Sequence, residues 1–144
     1  MKNNETVRPV PIIDHVGIAV NSIEAAVPGW AAVLGGPPSG EERVDSEGVR
    51  VAFFGSGYGR IELLEPLDDR SPIARHLARR GPGVHHVCLE VADLDATLRR
   101  AEAEGWSPIP PPVRPGAEGT RIAFLHPRTT GGVLLELREA SGAG

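Results

Sequence analysis

The sequence predicts an α+β fold in which two βαβββ half-repeats form one curved mixed sheet around a cavity. The first observation is an internal repeat: GVHHVCLEVADLDAT (residues 83–97) resembles IIDHVGIAVNSIEAA (residues 12–26), with a histidine at the same place in both. The second is that each stretch is followed by the same predicted order, a helix and then three strands. Because a unit of about seventy residues buries little core by itself, the two repeats are expected to share one domain.

That single domain is expected over residues 10–140 of the 144-residue chain. The half-repeats lie at about 10–67 and 83–140, and the linker 68–82 contains Pro72 and ends in Gly81-Pro82, with a short predicted helix near 72–79. Hydrophobic residues make up 40% of the chain and charged residues 24%, which is typical of a globular domain.

Composition also excludes several classes of protein. The formal net charge of −4 provides no basic surface for nucleic acid. No apolar run approaches the roughly 20 residues needed to span a bilayer, and the polar start MKNNETVRPVP lacks the apolar core of a signal peptide. The single cysteine, Cys88, excludes an internal disulfide and suits a reducing compartment. We therefore expect a cytoplasmic protein that binds neither nucleic acid nor membrane.

The first repeat begins with IIDHVGIAV, whose alternation and β-branched residues predict a strand. Asn21 or Ser22 can cap a helix over residues 23–34 that ends at a glycine pair, and Pro28 is expected to disturb the middle of this helix. Further strands are expected at 41–44, 49–54 and 60–65.

The second repeat follows the same order. The strand VHHVCLEV leads to a helix capped by Asp93, with Leu94 and Leu98 one turn apart and Gly105 closing it. Three more strands are expected: a weak one near 107–110, then TRIAFLH and GVLLELRE. The match of VAFF in the first repeat with IAFL in the second supports this register.

Side-chain alternation places the two repeated histidines on equivalent faces. In the first strand His15 lies on a face of small residues, and the branched residues occupy the opposite face, which is suited to packing under helices. In the repeated strand His86 lies on the matching face with Cys88 and Glu90, while His85 points the opposite way. We interpret Cys88 as a small apolar filler of this face.

The last strand of each repeat adds a carboxylate. Glu62 in RIELLE and Glu136 in GVLLELRE each stand between two large apolar residues. If those neighbours are in the core, the acid between them points into the cavity. Glu65, next to Pro66, faces the other way and is expected at the surface.

The result is a histidine and a glutamate at equivalent places in the two repeats: His15, Glu62, His86 and Glu136. Each residue alone is more often a structural histidine or a solvent-facing acid, but four at duplicated positions favour a metal site. Two neutral imidazoles and two carboxylates form a mixed N/O site for one divalent ion per chain. Such a donor set accepts Co, Mn, Ni, Zn or Fe.

Six segments carry a family resemblance: IDHVGIAV, IELLEPL, SPIARHL, GVHHVCLEV, IAFLHP and TGGVLLEL. Together they resemble methylmalonyl-CoA epimerase, within the vicinal oxygen chelate superfamily that includes glyoxalase I. The resemblance covers roughly residues 12–139. It implies the vicinal oxygen chelate fold, a homodimer, and a metal-dependent enzyme that interconverts the (R) and (S) forms of methylmalonyl-CoA, a small-molecule acyl-CoA substrate, through an enolate.

The resemblance also implies roles for single residues. His15, His86 and Glu136 match the metal ligands of the family, and Glu62 falls where relatives carry a fourth ligand, Gln or Glu. Val51 stands where some members carry a proposed catalytic glutamate, so that base is missing here.

The proton shuttles must therefore come from other groups. Glu136 and Glu62, beside the expected metal, are the carboxylates expected to reach C2. His126 in FLHP is a further candidate, with a structural histidine at a strand end as the alternative. The helix after the first strand offers Trp30 alone where relatives often have an aromatic pair.

Two other functions remain open on the same fold. One is a glyoxalase I-type lyase or another metal enzyme of the superfamily, and the other is a metal-free ligand-binding module. The complete set of four candidate ligands favours a metal enzyme, and the epimerase-like segments favour the epimerase.

Overall fold

The computed structural model describes residues 10–116 and 119–141. In chain order the described elements are β1 (Ile12–Ala19), α1 (Ile23–Leu34), β2 (Gly40–Val44), β3 (Val49–Phe54), β4 (Arg60–Pro66), α2 (Pro72–Arg80), β5 (Gly83–Val91), α3 (Leu94–Ala103), β6 (Arg114–Pro115), β7 (Arg121–Leu125) and β8 (Leu135–Glu139). A short 3₁₀ helix, Asp45–Glu47, joins β2 to β3. The order βαβββ therefore occurs twice with α2 between the copies, as the internal repeat predicted.

The ends of the chain, residues 1–9 and 142–144, lie outside the described part, as do residues 117 and 118. The polar stretch used to argue against a signal peptide falls largely in the first of these segments. None of the helices described in the rest of the chain has the length and apolar character needed to cross a bilayer.

The chain divides into two compact units. The first unit is His15–His85, and the second combines residues 1–14 with residues 86–144. Both boundaries fall inside a strand, because β1 continues from Asp14 to His15 and β5 from His85 to His86.

The strands of the first repeat lie in the order β2-β3-β4-β1. The pairing of β1 with β4 is parallel and the other two pairings are antiparallel, so this sheet is mixed. The register places Gly17 and Phe53 on either side of Glu62.

The second repeat has the same arrangement, with its strands in the order β5-β8-β7-β6. Here β5 and β8 are parallel, and the two later pairings are antiparallel. The register places Cys88 and Phe124 on either side of Glu136. Glu62 and Glu136 thus occupy equivalent positions, which confirms the register predicted from VAFF and IAFL.

Each repeat packs its first helix on the branched face of its own sheet. Under α1 lies a buried cluster formed by Val20, Ile23, Ala52, Phe54 and Leu63. Under α3 lies its counterpart, formed by Leu94, Leu98, Ala123, Leu125 and Leu137. Burial of each large apolar side chain contributes about 1.5–3 kcal/mol. The prediction that the branched faces pack under helices is confirmed.

Helix α1 begins and ends where the sequence indicates. The Oγ of Ser22 accepts a hydrogen bond from the N–H of Ala25 at 3.1 Å, and Gly35 closes the helix with φ 86°. The expected disturbance at Pro28 is wrong, since the helix runs through it. Proline leaves the carbonyl of Glu24 without its helical donor, but both residues are on the exposed side, where water can replace that donor.

The first N–H of both helices is bound by a glutamate from the last strand of its own repeat. The N–H of Ile23 donates to Oε1 of Glu65 at 2.8 Å, and the N–H of Leu94 donates to Oε2 of Glu139 at 2.8 Å. Glu65 faces away from Glu62, as predicted, but the prediction that it lies at the surface is wrong. Its side chain is only 22% exposed because it reaches under the start of α1.

The prediction of a strand near residues 107–110 is also wrong. Only an isolated bridge between Pro108 and Leu125 forms there, supported by a 2.7 Å hydrogen bond from the N–H of Ile109 to the carbonyl of Phe124. Pro108 and Pro110 have no N–H to extend the ladder. The strand that pairs with β7 is instead β6, four residues further on.

Candidate metal and active site

The first repeat brings His15 and Glu62 together. The Nδ1 atom of His15 lies 3.6 Å from Oε2 of Glu62, and both residues are 8% exposed. The parallel pairing of β1 with β4 sets Gly17 beside Glu62. Since Gly17 has no side chain, the carboxylate has room to extend toward the imidazole. The predicted proximity of this pair follows from the strand register.

A guanidinium lies beside the same pair. Arg60 donates from Nε and Nη2 to Oε2 of Glu62, at 3.2 and 3.0 Å, and its Nη2 is 3.5 Å from Nδ1 of His15. Its Nη1 donates to the carbonyl of Gly57 at 2.6 Å. Sequence reasoning did not include Arg60. The signal that could have found it is its position two residues before Glu62 on a strand, which places both side chains on one face.

The second repeat brings together the matching pair. The Nε2 atom of His86 lies 3.3 Å from Oε1 of Glu136, and the two side chains are 9% and 14% exposed. The ring of His86 also meets the ring of Phe124 edge-on, with centroids 6.4 Å apart. Cys88, the neighbour of Glu136 across the strands, is fully buried, in accord with its interpretation as a small filler.

The two adjacent histidines of β5 have different surroundings. His86 lies beside Glu136, whereas His85 meets the ring of His76 on α2 edge-on, with centroids 5.0 Å apart. Burial lowers the pKa of His76, and the positive charge of Arg80 lowers it further. The two histidines thus face different partners, and the assignment of His86, and not His85, to the site stays a prediction.

Val51 lies on the same face of the sheet as Glu62, because it pairs with Leu64, two residues further along β4. It is 5% exposed and packs against Ala19, Leu64 and Ile73. The place where some relatives are expected to carry an acid is therefore part of an apolar cluster in this chain.

His126 lies in the turn after β7. Its Nδ1 accepts a hydrogen bond from the N–H of Arg128 at 3.1 Å, and its carbonyl accepts from both the N–H and the hydroxyl of Thr129, at 2.9 and 2.8 Å. These contacts give it a structural role in the turn. Its role as a proton shuttle stays a prediction.

Each repeat thus supplies one buried imidazole nitrogen close to one carboxylate oxygen. Neutral imidazole and carboxylate are ligands that first-row divalent ions accept. Each pair therefore offers one nitrogen and one oxygen ligand to such an ion. The glutamate supplies the negative charge of the pair.

Comparison with known proteins defines the class. Residues 14–124 match the model of the Glyoxalase/Bleomycin resistance protein/Dioxygenase superfamily. The chain is 37% identical over 131 residues to an ethylmalonyl-CoA/methylmalonyl-CoA epimerase of Cereibacter sphaeroides, covering 88% of this chain and 96% of the relative.

Solved structures of similar proteins point to the same family. The methylmalonyl-CoA epimerase of Mycobacterium tuberculosis is 38% identical with a TM-score of 0.77, covering 91% of this chain and 89% of the other. A variant of the Streptomyces coelicolor methylmalonyl-CoA epimerase, in complex with 2-nitronate-propionyl-CoA, is 34% identical with a TM-score of 0.79, covering 91% and 98%. The chain belongs to the methylmalonyl-CoA epimerase family of the glyoxalase superfamily. The fold class predicted from the sequence, the vicinal oxygen chelate fold, is thereby confirmed.

Proposed function

We propose that this protein is an epimerase that interconverts the (R) and (S) forms of methylmalonyl-CoA through an enolate. The observation that carries the proposal is the duplicated pair of a buried histidine and a glutamate, at 3.6 Å in the first repeat and 3.3 Å in the second. Relatives that carry the epimerase name and match nearly the whole chain support the substrate class.

The proposal includes one divalent ion per chain, with Co, Mn, Ni, Zn and Fe as candidates. His15, His86 and Glu136 would hold it, and Glu62 would be a fourth ligand or a close neighbour. The matched positions of these residues in the two repeats support this assignment, as does the chemistry of each donor pair. When bound, such an ion supplies Lewis-acid stabilisation of the charge that develops on the thioester oxygen, worth several kcal/mol.

The chain's own residues must move the protons. Epimerisation needs one group that removes the C2 proton and a second, on the opposite face, that returns one. In the proposed step a carboxylate takes the proton, the C–H electron pair enters the enolate, and a carboxylic acid protonates C2 from the other side. Glu62 and Glu136 are the proposed shuttles because they come from different repeats, and His126 is the next candidate.

The low exposure of both pairs supports this chemistry. A carboxylate held between apolar strand neighbours is oriented before the substrate arrives, so little reorganisation is needed when the proton moves. The 8% exposure of Glu62 and of both histidines also limits competition from water.

Deuterium exchange tests the function. Methylmalonyl-CoA incubated with metal-loaded protein in D₂O should gain deuterium at C2, measured by mass spectrometry. Glu136→Gln should strongly reduce the gain, because it removes a proposed metal ligand as well as a proposed shuttle. Absence of exchange with the intact, metal-loaded protein would overturn the proposal. Turnover of a hemithioacetal instead would identify a glyoxalase I-type lyase, and ligand binding without bound metal would identify a binding module.

A further inference from the structure

The two repeats differ at the residue two places before the site glutamate. It is Arg60 in the first repeat and Leu134 in the second. Leu134 has no charge or hydrogen-bond donor in its side chain, whereas Arg60 places a guanidinium on Glu62 and beside His15. The duplicated donor pairs are therefore not electrostatically equivalent.

We propose that Arg60 is a built-in cation that competes with the metal ion for the His15–Glu62 pair and so sets the metal affinity of the site. The inference rests on the ligand set of the proposed function. It assigns Arg60 as a positioning residue, which holds the Glu62 carboxylate in place and weakens the binding of the ion by the His15–Glu62 pair.

The contacts carry the argument. Arg60 reaches the same two atoms that face each other in the pair, Oε2 of Glu62 at 3.0 Å and Nδ1 of His15 at 3.5 Å. A guanidinium stays protonated at any physiological pH, so its charge is always present there. A divalent ion that approaches either atom meets this charge and is repelled by it.

The surroundings make that repulsion effective. The Arg60 and Glu62 side chains are only 18% and 11% exposed, so water and salt screen the charges less than at the surface. The hydrogen bond from Nη1 to the carbonyl of Gly57 also holds the guanidinium to the loop before β4. Withdrawal of Arg60 from the pair would break that bond as well as the contacts with Glu62.

A metal titration of the chelator-stripped protein tests this directly. Arg60→Leu places in the first repeat the residue type found at Leu134 of the second. This variant should bind Mn²⁺ or Co²⁺ about tenfold more tightly than the wild type, a change of about 1.4 kcal/mol in binding free energy. Arg60→Gln, which also removes the charge, should show the same increase. Arg60→Lys, which keeps the charge, should stay near the wild type. Arg43→Leu removes one charge from an exposed site and should change nothing.

A purely structural role for Arg60 predicts the opposite sign, since damage to the site weakens metal binding. In a Glu62→Gln background, Arg60→Leu should still raise the affinity, because the charge of Arg60 also lies beside Nδ1 of His15. Unchanged or weaker binding by both Arg60→Leu and Arg60→Gln, with a wild-type circular dichroism spectrum, overturns the inference. Failure of deuterium exchange in the wild type would instead count against the proposed function, since the affinity comparison needs no turnover.

Discussion

At the scale of the residue, the candidate site is built from side chains on strands and not from loops. His15 and His86 lie on the first strand of each repeat, and Glu62 and Glu136 on the last. Each glutamate stands between apolar neighbours packed in the sheet, which fixes the direction of its side chain. Strands hold a set of functional side chains in position more accurately than loops do.

The histidine assignment leads to a direct prediction. His15→Ala should lose most of the bound metal, because it removes an imidazole nitrogen from the proposed donor set. His85→Ala should retain it, since His85 contacts His76 of α2. Metal content of the purified variants, measured by mass spectrometry, checks this. Metal retained in His15→Ala and lost in His85→Ala would reverse the assignment of the two faces.

Glu62 gives the second prediction at this scale. If Glu62 is a shuttle and not an essential ligand, Glu62→Gln should retain the metal but lose the ability to accept a proton, so epimerisation should fall by roughly a hundredfold or more. Substrate affinity should change little, which a titration with a non-reactive acyl-CoA would show. Near-normal turnover would exclude Glu62 as a required base and make His126 or water the next candidate.

Side-chain alternation made the positions of the four site residues predictable, because a period of two leaves only two faces to choose from. Alternation also places Arg60 on the same face as Glu62, but two contacts could not be found in that way. The contact of Arg60 with Glu62 depends on where a long, flexible side chain places its end. The contact of Glu65 with Ile23 joins residues 42 positions apart and depends on the docking of a helix.

At the scale of the element, both βα units begin their helix in the same way. Ser22 and Asp93 cap the helices through their own side chains, and Glu65 and Glu139 bind the first N–H from the neighbouring strand. A carboxylate at a helix N-terminus also interacts favourably with the helix dipole. The strand that carries the site glutamate is thus tied to the helix that covers its opposite face.

We expect Glu65→Ala and Glu139→Ala each to lower the free energy of unfolding by about 1–3 kcal/mol, because a partly buried N–H loses a charged acceptor. Urea denaturation followed by circular dichroism measures this. Glu102→Ala, at an exposed position of α3, should stay within about 0.5 kcal/mol of the wild type. An effect of Glu102→Ala as large as that of the other two variants would contradict the capping role.

His76 of α2, which contacts His85 of β5, should make the free energy of unfolding depend on pH. The pKa of His76 is lowered in the folded protein, mainly by burial. The folded state therefore binds fewer protons than the unfolded state below about pH 6.5, so this contribution to stability is present above that pH and is lost as the pH falls. The loss between pH 7.5 and 5.5 should be smaller in His76→Gln than in the wild type. Equal losses in urea denaturation would disprove this contribution.

The sequence predicted helices better than irregular strands at this scale. Capping residues and closing glycines set the ends of α1 correctly, and the only error, at Pro28, arose because the exposed side of a helix tolerates a missing bond. The error at 107–110 has a different origin, since prolines allow an extended chain but not a continuous ladder.

At the scale of the whole molecule, the order of elements is duplicated, and Glu62 and Glu136 have equivalent registers in the two copies. The edge strands β2 and β6 are protected in different ways from pairing with strands of other molecules. Strand β2 exposes the charged residues Glu41, Glu42 and Arg43, and β6 is only two residues long. Both devices disfavour open-ended pairing of strands between molecules.

We predict a homodimer, because the family resemblance implies one and a partner could cover a sheet edge, and no larger array, because β2 and β6 disfavour open-ended pairing. Sedimentation velocity at micromolar concentration should give the mass of two 15.2 kDa chains. A monomer under these conditions would contradict the prediction, and a concentration-dependent series of larger species would contradict the protective role of the charged strand.

The division inside β1 has a consequence for the order in which the protein can fold during synthesis. His15–His85 is one continuous stretch, so all of its residues are available before the second half of the chain has been made. The other unit must wait, because it combines the start of the chain with its end. The carboxylate of Asp14, which is 3% exposed, contacts Arg138, 124 positions later. Asp14 therefore stays without this contact until nearly the entire chain has left the ribosome, whereas contacts within His15–His85 join residues that are made much earlier.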